Sequence, residues 1–418
     1  MNRRNFLKAA SYAGLSLVSP FGLASSRANS AGYEGLFFVL VNAGGGWDPT
    51  SFCDPKGREN EDETNPMNMY FKGDIGTAGN LNFAPVPGVR SFFEKYYQRL
   101  LVINGIDTST NGHDSGSRHI WSGSLGEGHP AFSALLAANL GAERPLSFMT
   151  FGGYDHPQGL IAPTRTGNVS ALERIAFPNR SNPNDKDSLY HSTATQDRIQ
   201  QAIAARASAK LQRESLHVRK RAINNLVLAR AGENEIARLT EFLPDLDNSN
   251  NRLRRQAQLA IAGYKAGVCV SANLNVGGFD THGDHDNRHF AQLTTYFEGV
   301  DFLLEEAERQ GVADKVVVVM GSDFGRTPGY NAQNGKDHWS ITSMMFAGGG
   351  ITGNRVIGAS TERHRPLNVD PQTLRVSETG LRLTPAHIHQ SMRQFAGIDK
   401  SALTQRYPLL VESLKLFG

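Results

Sequence analysis

Short apolar runs recur along the chain, separated by mixed polar stretches. The first is Leu36-Phe37-Phe38-Val39-Leu40-Val41, followed by Leu100-Leu101-Val102-Ile103, Gly267-Val268-Cys269-Val270, Val316-Val317-Val318-Val319-Met320 and the weaker Met344-Met345-Phe346-Ala347. Apolar runs this short and without alternation are typical of strands buried on both faces. Helical patterning lies between them, at Gly88 to Arg99, Ala131 to Leu140 and Arg288 to Gln310. Buried strands alternating with helices predict an α/β fold with a mainly parallel sheet sandwiched by helices. Residues 194–265 break the rhythm. They are rich in Ala, Arg, Gln, Leu and Glu and poor in Gly and Pro before Pro244, which predicts a helical insertion. Its basic residues, Arg206, Lys210, Arg213, Arg219, Lys220 and Arg221, read as a solvated helix face.

The N-terminus is patterned differently. Arg3-Arg4-Asn5-Phe6-Leu7-Lys8 and the mild apolar stretch Ala9 to Ala24 read as a twin-arginine export signal. Gly14, Pro20 and Gly22 interrupt that stretch, which is too short to span a membrane; small residues from Ala24 to Ala31 suit cleavage. The expected organisation is therefore a signal at residues 1–31 and one α/β domain at 32–418, with the helical insertion inside it.

Composition changes this picture in two ways. The chain of 418 residues carries Lys+Arg 43 against Asp+Glu 40, a formal net charge of +3. Residues 1–31 hold Arg3, Arg4, Lys8 and Arg27 and no acid, so the remainder has 39 basic and 40 acidic residues. The excess positive charge belongs to the signal and gives no support for a nucleic-acid partner. With 2 Cys, neither a disulfide scaffold nor a four-cysteine zinc site is available. Cys53 and Cys269 could pair in an oxidising compartment or stay single. The acid-rich stretch from Asp54 to Glu63 reads as a surface loop without calcium-loop spacing.

In an open parallel sheet, ligands bind beyond the carboxyl ends of the strands, so the polar residues after each apolar run are the candidates. After the first run comes Gly44-Gly45-Gly46-Trp47-Asp48, where glycines allow close backbone approach. After the second comes His113-Asp114-Ser115-Gly116-Ser117-Arg118-His119, a segment able to open a helix on a serine. The third is Phe279-Asp280-Thr281-His282-Gly283-Asp284-His285, dense in oxygen and imidazole ligands. The fourth is Ser322-Asp323-Phe324-Gly325-Arg326, with Lys336-Asp337-His338 beyond it. Each alone could be a polar turn. Together they place carboxylates and imidazoles at successive strand ends, an arrangement that is costly unless paired or metal-bound. One or two divalent ions (Zn, Mg or Ca) would account for them.

Gly45-Gly46-Trp47-Asp48, Gly278-Phe279-Asp280-Thr281-His282, Ser322-Asp323-Phe324-Gly325-Arg326-Thr327 and Asp337-His338, together with the export signal, resemble the secreted domain of unknown function 1501 family. That family is similar to the alkaline phosphatase and sulfatase superfamily. The resemblance implies an alkaline phosphatase-like fold and metal-dependent hydrolysis of phosphate or sulfate esters. It implies metal ligation by Asp48, Asp280, His282 or His285, Asp323 and His338, with Ser115 as the nucleophile. Arg118 or Arg326 would hold the remaining ester oxygens. Phe324 stands where the superfamily often has a histidine, so the second site could recruit His113 or His119 or be degenerate. The implied substrate is a small anionic ester or a sulfated or phosphorylated polymer. The implied address is the periplasm or beyond, reached through the twin-arginine machinery, with no membrane span after cleavage. A secreted binding or assembly protein without turnover is the alternative on the same scaffold.

Overall fold

The computed structural model describes residues 32–417 except 145, 166–176, 183–184, 186 and 232. The expected export signal and its cleavage region lie outside the described residues. The first strand, β1 (Phe37–Ala43), is buried at every position. Its side chains alternate between two cores. Phe37, Val39 and Val41 enter one, and Phe38 and Leu40 enter the other. This is the period of two expected when both faces of a strand are covered.

The first core receives α1 (Pro87–Tyr96), α7 (Arg252–Lys265) and α8 (His285–Arg309); the second receives α2 (His113–Ser122), α3 (Phe132–Leu140) and α9 (Pro385–Phe395). The remaining strands of the large sheet are β2 (Leu100–Asp107), β3 (Phe148–Thr150), β4 (Pro163–Arg165), β5 (Ser271–Val276), β6 (Val316–Gly321), β9 (Ile341–Gly348) and β10 (Arg355–Ile357). Their order is β10-β2-β9-β6-β1-β5-β3-β4. All neighbours pair in parallel except β9, which runs antiparallel to both β2 and β6. A small antiparallel pair, β7 (Gly325–Arg326) and β8 (His338–Trp339), sets His338 opposite Arg326. The sheet is thus mainly parallel and covered by helices on both faces, as the apolar runs predict.

Differences from the sequence pattern have identifiable causes. The run Gly267–Val270 is the approach to a strand, and the strand itself is β5, whose sequence is Ser-Ala-Asn-Leu-Asn-Val. Its polar positions are paired: Asn273 Nδ2 donates to Tyr154 O, and Asn275 Oδ1 accepts from Asn42 Nδ2 at 2.7 Å. Hydrogen-bonded amides carry little burial cost, so the pattern hides the strand. In the block 194–265, α4 (Thr193–Arg213) has no buried residue, whereas α7 is packed into the core by Leu253, Ala257 and Leu259–Ala262. Between them run α5 (His217–Ala231) and α6 (Glu233–Phe242). Arg206, Lys210, Arg213 and Arg219 are exposed. In the acidic stretch Asp54 departs from a surface loop: it is buried and 2.8 Å from Lys56 Nζ. Cys53 and Cys269 are free and buried, and burial pushes the Cys269 thiol up to about 12.

Phe297 on α8 fixes that helix against its neighbours. Its ring packs with Phe52, Phe92, Phe93 and Tyr296 and is fully buried. Phe297→Ala is expected to lower unfolding stability by about 3–5 kcal/mol, read as a shift in the urea midpoint at constant slope.

Candidate metal centre

Four loops leave the carboxyl edge of the sheet, after β1, β2, β5 and β6, and the last of these returns to the same edge to enter β9. The β1 loop turns inward. Gly45 (φ 119°) and Gly46 (φ 85°) adopt backbone that side chains disfavour. A Cβ at Gly45 would lie 2.5 Å from Asp280 N, and one at Gly46 would strike the Phe324 ring. The glycines therefore admit protein, not a ligand. Their N–H groups donate to Asp323 Oδ1 at 3.0 and 2.7 Å.

With one oxygen so held, Asp323 turns the other to His113 Nδ1 at 2.6 Å. His113 is the first residue of α2, after the cap Gly112. Its hydrogen bond to Asp323 outweighs burial and raises its pKa above the usual 6.5. His282 Nδ1 lies 2.8 Å from Asp337 Oδ1, and Asp337 is kept ionised chiefly by that bond. His338 Nδ1 lies 2.8 Å from the Asn111 carbonyl.

Each of the three imidazoles thus presents Nδ1 to an oxygen that can only accept, so Nδ1 carries the hydrogen. In the neutral rings every Nε2 is a lone pair. These lone pairs converge. His282 Nε2 and His338 Nε2 are 3.0 Å apart, each is 3.0 Å from Asp280 Oδ1, and His113 Nε2 is 3.6 Å from Asp280 Oδ2. Burial would raise the Asp280 pKa, but the Arg326 guanidinium and His338 outweigh it and bring it to about 2. Lone-pair nitrogens gathered around one ionised carboxylate in this way repel it unless a cation, proton or metal, lies among them. An Nδ1–H held by carboxylate or carbonyl is also the usual outer support of a metal-ligating histidine. The donor set fits a divalent ion. The ligand atoms of His113, Asp280 and His338 all lie within 4.8 Å of one another.

Phe324 packs its ring 4.8 Å from His113 and 4.4 Å from His338, so an apolar floor occupies the position where the superfamily resemblance suggested a further histidine. Arg326 is fully buried. Nε donates to Gly46 O, Nη1 to Lys336 O, and Nη2 to Gly45 O and Asp280 Oδ1. It holds Asp280 in place and offers no free fork. Arg118 Nε donates to Leu125 O and its Nη1 is 3.8 Å from Glu127, in the loop beyond α2. The Ser115 hydroxyl, in the first turn of α2, meets Thr110 Oγ1 at 2.6 Å and Gly112 O at 3.1 Å.

Asp48 and His285 lie in a second, fully buried network. Lys336 Nζ is 2.5 Å from Asp48 Oδ2 and 2.9 Å from Asn68 Oδ1. Thr50 N and Oγ1 donate to Asp48 Oδ1, and Ser51 Oγ to Oδ2. Burial alone would raise the Asp48 pKa; Lys336 and His285 hold it well below the carboxylate range. Burial lowers the pKa of both His285 and His289, so both are neutral. His289 Nε2 accepts from Asp48 N at 2.9 Å, and Thr281 Oγ1 lies between His289 Nδ1 and His285 Nδ1 at 3.1 and 2.8 Å. His285 Nε2 lies 3.3 Å from Asp48 Oδ2 without a hydrogen bond between them. His119 is elsewhere, buried with Nδ1 2.8 Å from Thr108 O.

Of the residues expected from sequence, Asp280, His282, Asp323 and His338 come together, joined by His113. Asp48 and His285 sit apart with Lys336. The signal that could have exposed Lys336 was its place directly before Asp337-His338.

The molecule is thus an α/β protein with a histidine- and aspartate-built candidate metal centre at the carboxyl edge of its sheet. A model described as "Protein of unknown function (DUF1501)" matches residues 147–408, and the chain belongs to that family. The match includes Asp280, His282, Asp323 and His338 and begins after His113. A search of curated proteins finds no match. Among solved structures, the lipoteichoic acid synthase LtaP from Listeria monocytogenes is similar with 9% identity and a TM-score of 0.40, over 88% of this chain and 73% of that one. A 2-O GAG sulfatase gives 12% and 0.35 over 89% and 72%; TAB5 alkaline phosphatase, solved with Mg bound in its M3 site, gives 10% and 0.37 over 87% and 97%.

Two outcomes follow from this geometry. Lys336→Met leaves Asp48 charged and buried and is expected to cost about 3–5 kcal/mol in chemical unfolding; the double change with Asp48→Asn should cost less. In metal-free protein, the His113 ring is expected to titrate above 6.5 by NMR and to fall back in Asp323→Asn. Because the folded pKa is the higher one, the stability that this bond supplies is present below 6.5 and is lost as pH rises through the folded value.

Proposed function

We propose that the chain is a secreted, metal-dependent hydrolase of phosphate or sulfate esters, exported by the twin-arginine route to the periplasm or beyond. The observation that carries this reading is the convergence of His113, His282 and His338 Nε2 on Asp280, each ring supported behind by an acceptor. These four residues would hold one cation. A nitrogen-rich set suits zinc or another first-row transition ion better than magnesium or calcium. A second ion has no comparable place among the described residues, because Asp48 is already neutralised by Lys336. Such a cation supplies Lewis acidity to an ester oxygen.

The chain's own residues do the rest. Arg326 keeps Asp280 ionised and in place. Asp323, Asp337 and Asn111 O fix the orientation of the three imidazoles. The first-turn N–H groups of α2, beginning at His113, would meet the ester oxygens. Ser115, in that turn and part-exposed, is the proposed nucleophile: its hydroxyl gives up the bond to Gly112 O, its proton passes to solvent as its oxygen displaces the ester's alcohol, and water then cleaves the seryl ester to free the serine. The second reading, a binding or assembly protein without turnover, rests on both arginines being committed elsewhere.

Metal analysis of the exported protein, with turnover of aryl phosphates and sulfates, tests this. Asp280→Ala is expected to lose the metal and at least about 100-fold in turnover. Ser115→Ala should keep the metal and lose about 10³-fold or more. Protein exported without metal, or metal content unchanged by Asp280→Ala, would overturn the reading.

A further inference from the structure

Two polar hollows open beside the cluster, on opposite flanks of the β6–β1 pair. The larger, about 1050 Å³, lies at the carboxyl end of β5 between α7 and α8, lined by Asn250, Arg252, Gln256, Asn275, Gln292 and Glu298 among others. It also includes Gly277, three residues before Asp280, so its edge is at most about 11 Å along the chain from the metal centre. The smaller, about 360 Å³, includes His338 itself, with Asp107, Ser109, Asn111, Trp339 and Ser340. It lies at the end of β2 and the entrance of β9. The sheet order puts β2 and β9 on one side of β6 and β1, and β5 and β3 on the other. At about 4.8 Å per strand step, β9 and β5 are about 14 Å apart, and β2 and β3 about 24 Å.

The linings share one chemistry. In the larger hollow Arg254 is paired with Asp247 and Asp301 with Lys95, so these charges are already balanced. Among the described residues, the side chains of Asn250, Arg252, Gln292 and Glu298 make no hydrogen bond or ion pair. In the smaller hollow Asp107 is paired with Arg382 at 3.1 Å. What both hollows offer is amides, hydroxyls and an aromatic edge (Phe151 in one, Trp339 in the other), without a surplus of positive charge. A nucleic acid would need that surplus. Free amide and hydroxyl groups instead match a ligand that both donates and accepts at many points.

We propose that the two hollows form one track across the metal centre, and that the physiological ester is carried on a saccharide chain several units long that fills both. This rests on reading the cluster as an ester-hydrolysing centre and names its substrate. A small aryl ester would occupy only the middle.

The probes are sulfated and phosphorylated oligosaccharides, from monosaccharide to octasaccharide, measured by calorimetry on the purified protein and by kcat/KM. Affinity is expected to rise at least about tenfold with chain length. The rise should vanish in the double variant Asn250→Ala with Arg252→Ala, and in Asn250→Trp, which fills the larger hollow; aryl-ester turnover should be unchanged in both. Affinity independent of length, or a length dependence that both variants keep, would overturn the track. Length-dependent binding with no turnover of any ester would sink the hydrolase reading and leave the track standing.

Discussion

An ammonium group shielded from solvent sits 2.5 Å from the Asp48 carboxylate, and most of the centre is hung from it. Lys336 touches four parts of the site at once. Its side chain meets the β1 loop at Asp48. Its N–H donates to Thr281 O, in the loop that carries Asp280 and His282. Its carbonyl accepts from Arg326, which grips Asp280. The next two residues are Asp337, which orients His282, and His338. Two opposite charges in a fully desolvated pair stay together only if their remaining hydrogen-bonding capacity is met, and Asn68, Thr50 and Ser51 meet it. The pair thus acts as a rigid pin that sets the positions of loops otherwise far apart in sequence.

That pin explains the division of labour between the two histidine groups. His285 and His289 are neutral, stacked and fully buried, joined through Thr281 Oγ1. They have no lone pair to offer outward. His113, His282 and His338 are arranged in the opposite sense, with the rear nitrogen bound and the front nitrogen open. Imidazoles from the same sequence motif therefore differ in role because of what stands behind each ring.

Much of this was legible in the sequence. The apolar runs at β1, β2 and β6 gave the covered sheet, since both faces of those strands are core. Asp280, His282, Asp323 and His338 were legible as polar residues directly beyond strands. β5 was not, because its asparagines satisfy each other and their neighbours, which erases the apolar signature. The separation of Asp48 from Asp280 was not legible either. Both follow strand tips, and only the buried side chain of Lys336 decides that one is neutralised internally. Gly45 and Gly46 were legible as a site of close approach, but what approaches is Asp280 and Phe324.

The reversed direction of β9 has a further consequence. In a wholly parallel sheet, one edge gathers only the segments by which the chain leaves its strands; the segments by which it arrives lie at the far edge. Because β9 runs against β2 and β6, its arriving segment reaches the near edge, bringing His338 and Asp337 with it. The connection between β6 and β9 therefore departs from and returns to the same edge, and its returning end carries the candidate ligand His338 and Asp337, the support of His282. A single change of strand sense thus keeps both ends of one connection beside the centre.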